Sequence, residues 1–279
     1  MGTDINIPAP DVLTERSARV VSYAKLHRSA ARRKAGTFLA EGFNAVDAAV
    51  ATRRAQVLLA TDEALDRYAD LVHSAAAGGV EVLRISAGAA DKLAETITST
   101  GLFVVCDLVD VSMAEVLSSA PRLLAVPVEM TDPGNAGTLI RTADAMGADG
   151  VILAGDSVDP HNGKCVRSTA GSVFHVRIAR ERSISEVLAA LRDAGVAICA
   201  TAGDAELSLP DAGEVLAGPT AWLFGNEAHG LPDEILAQAD HRISIPIHGR
   251  AESLNLAAAA AICLYASADA TRVVDYPLS

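Results

Sequence analysis

Three stretches of the chain hold polar residues at spacings that could do chemistry. The first, residues 130–153, reads MTDPGNAGTLIRTADAMGADGVIL. A strand is expected to end near Met130. The tetrad Asp132-Pro133-Gly134-Asn135 then signals a turn, and Gly137 lets the backbone pass close to a neighbour. Leu139, Ile140, Ala143 and Met146 form the apolar set of a following helix. Asn135 and Arg141 would bring an amide and a guanidinium to the carboxyl edge of a sheet, where open α/β folds bind ligands. Equally, Asn135 could cap the helix and Arg141 could pair with Asp144 on a wet face. The second stretch, WLFGNEAHGLPDEIL at 222–236, runs a buried strand into a loop bracketed by Gly225 and Gly230, with Pro232 opening a helix. That loop holds Asn226, Glu227 and His229. Asn226 also fits a plain turn residue and His229 a surface one, and the absence of a second His or Cys at ligand spacing argues against a metal. The third, ISIPIHGRAESLNLAAAAAICLYA at 243–266, ends a strand at Ile245-Pro246-Ile247 and opens an alanine-rich helix with Glu252, Ser253 and Asn255 at its start. Capping alone would account for Ser253, and the run Ala257–Ala261 would let another backbone approach closely.

Apolar runs alternate with helical patterns along the chain. FLAEG (38–42), QVLLA (56–60), VEVLRI (80–85) and LFVVCDL (102–108) are strand candidates, with helices over 42–52 and 62–76 between them. RLLAVPVEM (122–130), DGVILAG (149–155), FHVRIA (174–179), VAICAT (196–201), TAWLFG (220–225) and HRISIPI (241–247) repeat the rhythm. Such alternation predicts an α/β fold with parallel strands. The polar segment VDVSMAEVLSSAP reads as a linker, giving an N-terminal domain over 1–108, a linker over 109–121 and a C-terminal domain over 122–279.

The chain has 279 residues, half of them hydrophobic and only 4% aromatic, which specifies a folded protein with an aliphatic core. Its net charge of −12 argues against a simple nucleic-acid coat. That charge is polarised: residues 1–54 carry nine Arg and Lys against five acids, and all of the negative excess lies beyond them. Between Arg16 and Lys34 there are seven basic residues and no acid, which is either a solvated helix face or an arm for phosphates. The uncharged stretch Ser253–Ala268 is shorter than a membrane span, and the first fifteen residues hold no apolar leader segment. Cys106, Cys165, Cys199 and Cys263 form no CxxC pair and read as reduced, mostly buried residues of a cytoplasmic protein. There is no GxGxxG after a strand, no P-loop, no GxSxG and no HExxH, which removes the ordinary dinucleotide, phosphate-loop, hydrolase and zinc-protease signatures.

The three stretches together resemble the SpoU (TrmH) branch of the SPOUT methyltransferases. The signatures are N-x-G-x-x-x-R at Asn135, Gly137 and Arg141, LFGNE-x-x-GL from Leu223 to Leu231, and IPI-x-G-x-x-ESLN-x-A-x-A from Ile245 to Ala259. AKLHRSAARRKAGTFLAEG at 24–42 looks like the start of the L30e-like RNA-binding domain carried by many members, above all ribosomal RNA 2′-O-methyltransferases of the thiostrepton-resistance type. The resemblance implies a trefoil knot in the C-terminal domain, although knots are very rare among folds. It implies a homodimer with its active site at the subunit interface, and S-adenosylmethionine held bent in the knotted loops by Leu223, Gly225, Ile245, Ile247, Leu254 and Asn255. It also implies an RNA substrate, most of all 23S ribosomal RNA, and no metal or membrane partner.

By motif position the resemblance makes Arg141 the central catalytic residue, with Asn135, Glu227, Ser253 and Asn255 around it. The family proposal treats the arginine as a general base. A guanidinium with a pKa above about 12 is a poor base, so we favour its engaging RNA phosphate and stabilising charge that develops on the ribose 2′-oxygen. Asn135 would support Arg141 or touch RNA, Glu227 would position Arg141 or the ribose, and Ser253 and Asn255 would complete the site. Arg28, Arg32, Arg33 and Lys34 would capture RNA. A transfer-RNA substrate and a non-catalytic RNA-binding protein on the same fold are the alternatives.

Overall fold

The computed structural model describes residues 12–226 and 229–275, the side chains of 272–275 apart. The chain divides into two compact units. One comprises residues up to Leu108 together with His161–His175, and the other Val109–Pro160 and Val176 onward.

Among the described residues the first unit carries a four-stranded sheet: β1 (Thr37–Glu41), β2 (Ala55–Ala60), β3 (Glu81–Arg84) and β4 (Leu102–Asp107), in the order β1-β4-β2-β3. β4 runs antiparallel to both β1 and β2, and only β2 and β3 are parallel. The all-parallel expectation is therefore corrected here, because period and apolarity locate a strand without fixing its direction. The helix expected over 62–76 is two helices, Asp62–Arg67 and Ala69–Ala77, broken at Tyr68 where φ is −118° and ψ is 35°. Val20, Leu39, Leu59, Ile85, Leu93, Phe103 and Val105 form the core of this unit. From 161–175 the short helix Gly163–Thr169 joins it, with His161 and Phe174 packed on Phe38 at ring separations of 4.8 and 5.8 Å.

The second unit is built on an eight-stranded sheet of β5 (Asp110–Val111), β6 (Leu123–Pro127), β7 (Gly150–Ala154), β8 (Arg177–Glu181), β9 (Ala197–Thr201), β10 (Leu207–Ser208), β11 (Thr220–Phe224) and β12 (His241–Ser244). Its order is β10-β12-β9-β11-β6-β7-β8-β5, and every neighbouring pair is parallel. β6, β7 and β11 are buried at every position, as strands covered on both faces must be. Trp222 is fully buried in β11, and its indole N–H donates to Ser267 Oγ at 2.8 Å, which ties the sheet to the C-terminal helix Leu256–Asp275.

Two stretches read differently in the structure than in the sequence. The segment 109–121 is an integral part of the second unit: β5 pairs with β8, and the helix Met113–Leu117 starts with a reciprocal Ser112–Glu115 capping box. The last strand stops at Ser244, so Ile245-Pro246-Ile247 is loop.

Candidate active site

In sequence order the sheet grows from β6 through β7 to β8 on one side, and then β9, β11 and β12 lie on the other. The reversal places a switch point between β6 and β11, and ligands of open α/β sheets bind beyond the carboxyl ends of strands at such points. A cavity of about 670 Å³ opens there. It is walled by Thr201, Ala202 and Gly203 after β9, Gly225 and Asn226 after β11, Ile245 and Ile247 after β12, and Asn135, Ser253, Leu254 and Asn255 at two helix starts.

Local chemistry explains how these groups arrive. The helix Pro133–Ala145 begins with Asp132, whose carboxylate accepts from the Asn135 N–H at 2.8 Å, and Pro133 occupies the first turn. Asn135 is therefore not the cap, and it lines the cavity. At the second helix the cap is Asn255, not Ser253: Asn255 Oδ1 accepts from the N–H groups of Ala257 at 2.9 Å and Ala258 at 3.3 Å. Its Nδ2 donates to Asn135 Oδ1 at 3.3 Å, so the two asparagines bridge the helix starts. Ser253 stays exposed on the wall.

The β11 loop closes on itself. Asn226 N–H donates to Gly230 O at 3.0 Å and Gly230 N–H to Asn226 O at 2.8 Å, with Gly230 at φ +68°. A Cβ on Gly225 would sit 2.5 Å from Gly230 O, with the Gly230 carbonyl carbon and Leu231 N closer still. Only glycine fits there. Asn226 Nδ2 donates to Glu129 O at 2.8 Å, holding the segment after β6 against that loop.

Of the residues read from the sequence, the structure gathers Asn135, Gly225, Ile245, Ile247, Ser253, Leu254 and Asn255 on one cavity. The side chain of Leu223 is fully buried in β11 and packs in the hydrophobic core, so it does not line the cavity. Arg141 does not converge with Asn135. It lies six residues along the same helix, about 9 Å farther and about 120° round the axis, and it is exposed. Glu227 lies outside the described residues. Thr201, Ala202 and Gly203 also line the cavity; the last residues of a strand beside the switch point are the signal that finds them.

In the first unit Arg28, Arg33 and Lys34 are exposed at the helix Ser29–Ala35. Arg32 is corrected: it is 3% exposed, and its guanidinium donates to Leu26 O at 2.9 Å and His27 O at 3.0 Å, so it braces the turn before its helix. Arg19 is occupied by a bidentate pair with Glu81 at 2.6 and 2.7 Å. All four cysteines are free and buried; burial pushes the Cys199 thiol up to about 12 and raises Cys106 and Cys263 as well, which makes them poor nucleophiles. Among the described residues no group of His, Cys, Asp and Glu gathers to hold a metal ion, and no helix is long and apolar enough to cross a membrane.

The cavity suits a small amphiphilic molecule. Its volume falls in the roughly 300–1,000 Å³ range of small-ligand sites. Ile243, Ile245, Leu231 and Leu254 offer apolar contact, Asn135, Ser253 and Asn255 offer hydrogen bonds, and Glu252 offers a negative charge. An adenine ring, a ribose and a sulfonium centre match those three kinds of group.

Residues 122–265 match the SpoU rRNA Methylase family, and residues 18–104 match the MRM3-like substrate binding domain. The chain is 33% identical over 254 residues to the 23S rRNA (guanosine(2553)-2′-O)-methyltransferase RlmP of Bacillus subtilis, covering 90% of this chain and 96% of that protein. It superposes on the SpoU methyltransferase AviRb of Streptomyces viridochromogenes in complex with AdoMet with a TM-score of 0.79 at 29% identity, covering 92% and 100% of the two chains. An AdoMet-bound rRNA methyltransferase from Sinorhizobium meliloti gives a TM-score of 0.78 at 29% identity, covering 92% and 97%.

Proposed function

The chain belongs to the SpoU rRNA methylase family, and from that premise we propose that it is an S-adenosylmethionine-dependent 2′-O-methyltransferase of 23S ribosomal RNA. The observation that carries this reading is the single cavity at the switch point, where residues from three sequence motifs meet.

The cofactor supplies a methyl group made electrophilic by its sulfonium. The protein's part is to hold that methyl in line with a ribose 2′-oxygen and to ease the departure of the hydroxyl proton. The Asn135–Asn255 bridge fixes the two helix starts at the mouth of the cavity, and Gly225 lets the β11 loop fold tightly enough to form its wall. Ser253 and Asn255 present polar atoms to the substrate side. Arg141 meets RNA phosphate and stabilises the oxygen as it gains negative charge; its guanidinium holds its proton too firmly to act as the base. Glu227 orients Arg141 or the ribose.

Arg141 is exposed and off the lining of its own cavity, which supports a homodimer in which each copy offers its arginine to the partner's site. Ile262 and Tyr265, exposed on the C-terminal helix, supply apolar surface for that pairing. The reading also takes over the family's knotted crossing for the larger unit. Arg28, Arg33 and Lys34 bind RNA phosphates, and the protein works in the cytoplasm where its substrate is made. The sequence division into an L30e-like domain and a methyltransferase domain is retained, with 161–175 grouped with the former.

The test is transfer of labelled methyl from S-adenosylmethionine to unmodified ribosomal RNA, with Arg141→Ala alongside. Label in the large ribosomal RNA at a ribose 2′-oxygen, lost in the variant, is expected. Cofactor binding without label in naked RNA or in ribosomal particles would refute the assignment of substrate, and label undiminished in the variant would refute the role of Arg141.

A further inference from the structure

The first unit contains a groove of about 840 Å³ that plays no part in the site above. It runs between the helix Phe43–Ala51 and the helix Ala69–Ala77. Phe43 and Tyr68 form one end of it, their rings stacked at 5.3 Å and 30°. The chain has five phenylalanines; Phe38, Phe103, Phe174 and Phe224 are buried, whereas Phe43 keeps 43% of its surface in solvent. A half-exposed ring stacked on a second ring at a groove wall leaves an aromatic face open to solvent.

The backbone is shaped to hold that end. Gly42 at φ +95° turns the chain out of β1 into the helix, so Phe43 falls on its first residue. Tyr68 occupies the break between its two helices. Asp47 lies one helical turn beyond Phe43, Val50 and Leu71 add apolar lining, Asp66, Arg67 and Asp70 add charge of both signs, and Arg53 lies past the helix end in the left-handed region at φ 59°, a conformation uncommon outside glycine.

We infer that this groove captures one unpaired nucleobase of the RNA substrate, stacked on the Phe43–Tyr68 platform; the inference rests on reading the chain as an RNA methyltransferase. Unpaired bases of RNA are recognised by stacking on aromatic rings and by hydrogen bonds to their edges. The Asp47 carboxylate accepts from a base N–H, and Arg53 pairs with the adjoining phosphate. A docking helix from a protein would want a continuous apolar strip, which the charged residues on this groove interrupt.

The experiment measures binding of a 23S ribosomal RNA transcript by filter retention over a range of salt, and KM for that transcript, with wild type, Phe43→Ala, Phe43→Leu and Phe43→Trp. Loss of a stacked base weakens binding about 5- to 150-fold. The alanine and leucine variants are expected to lose affinity by that factor at every salt concentration with the salt slope unchanged, the effect falling on KM, while tryptophan restores it. Cofactor affinity and the melting temperature stay at wild-type values, which separates stacking from misfolding. Wild-type RNA affinity in the alanine variant overturns the inference, whether or not ribosomal proteins bind it differently, and so does equal rescue by leucine. Binding needs no catalysis: if no methyl is transferred the enzymatic reading fails, while the groove is still judged by its RNA affinity.

Discussion

Gly225→Ala is the most searching single change at the cavity. The added Cβ would lie 2.5 Å from Gly230 O, whereas ordinary van der Waals contact begins at 3.4 Å. The obstructing atoms are backbone, held by the reciprocal Asn226–Gly230 hydrogen bonds, so no side-chain rotation relieves the overlap. The loop must retreat by about 1 Å, and forced overpacking of this kind costs about 1–3 kcal/mol. For a chain of this size that lowers Tm by about 2–12 °C. Displacement on that scale at a reacting centre costs about 100-fold in rate. Calorimetric titration with S-adenosylmethionine, thermal melting and single-turnover methyl transfer read the three effects. Gly213→Ala is the control, since a Cβ there meets nothing within 4 Å, and its Tm should hold or rise slightly. A Gly225→Ala protein that melts, binds cofactor and transfers methyl like wild type would refute the argument from close approach.

Three further outcomes follow from the geometry. Asn255→Asp keeps an acceptor for the Ala257 and Ala258 N–H groups but has no donor for Asn135, so Tm should hold while methyl transfer falls; Asn255→Ala should lose both, with about 1 kcal/mol of stability in urea titration. Arg33→Ala with Lys34→Ala should lower the salt slope of RNA binding by about two, whereas Arg32→Ala should instead cost about 1.5–3 kcal/mol of stability, because it removes a buried charged donor from two carbonyls. Burial raises the Cys199 thiol from an ordinary 9.0 to about 12, so its contribution is fully present below pH 9 and is lost as pH rises toward 12; urea midpoints should decline over that window, and less steeply in Cys199→Ala.

The sequence was informative where one local signal served both structure and site. The three motifs follow the carboxyl ends of β6, β11 and β12, where a parallel sheet collects its ligand groups, and their resemblance to one family brings Asn135, Gly225, Ile245, Ser253 and Asn255 together. It was less informative where the answer depended on a partner distant in sequence. Arg32 and Arg33 are indistinguishable by composition, yet one turns inward to carbonyls and the other outward. Leu223 belongs to a cofactor motif but its side chain packs in the core, since β11 is covered on both faces. The segment 109–121 looks like a linker because its strand is two residues long, and its pairing with β8 depends on residues far along the chain. The grouping of 161–175 with the first unit rests on Phe38 meeting His161 and Phe174, which no local pattern announces.

The pairing of β6 with β11 also sets an order of events during synthesis. Leu123 lies opposite Thr220, so the central pair of the larger sheet joins strands roughly a hundred residues apart. At about 5–20 residues per second a nascent chain holds β6 without its partner for about 5–20 s. During that interval β6, buried at every position in the finished fold, lacks the strand that closes its free edge, while the helix Pro133–Ala145 is already available to cover β6 and β7. The central strand pair of the larger sheet therefore closes only after β11 has been synthesised.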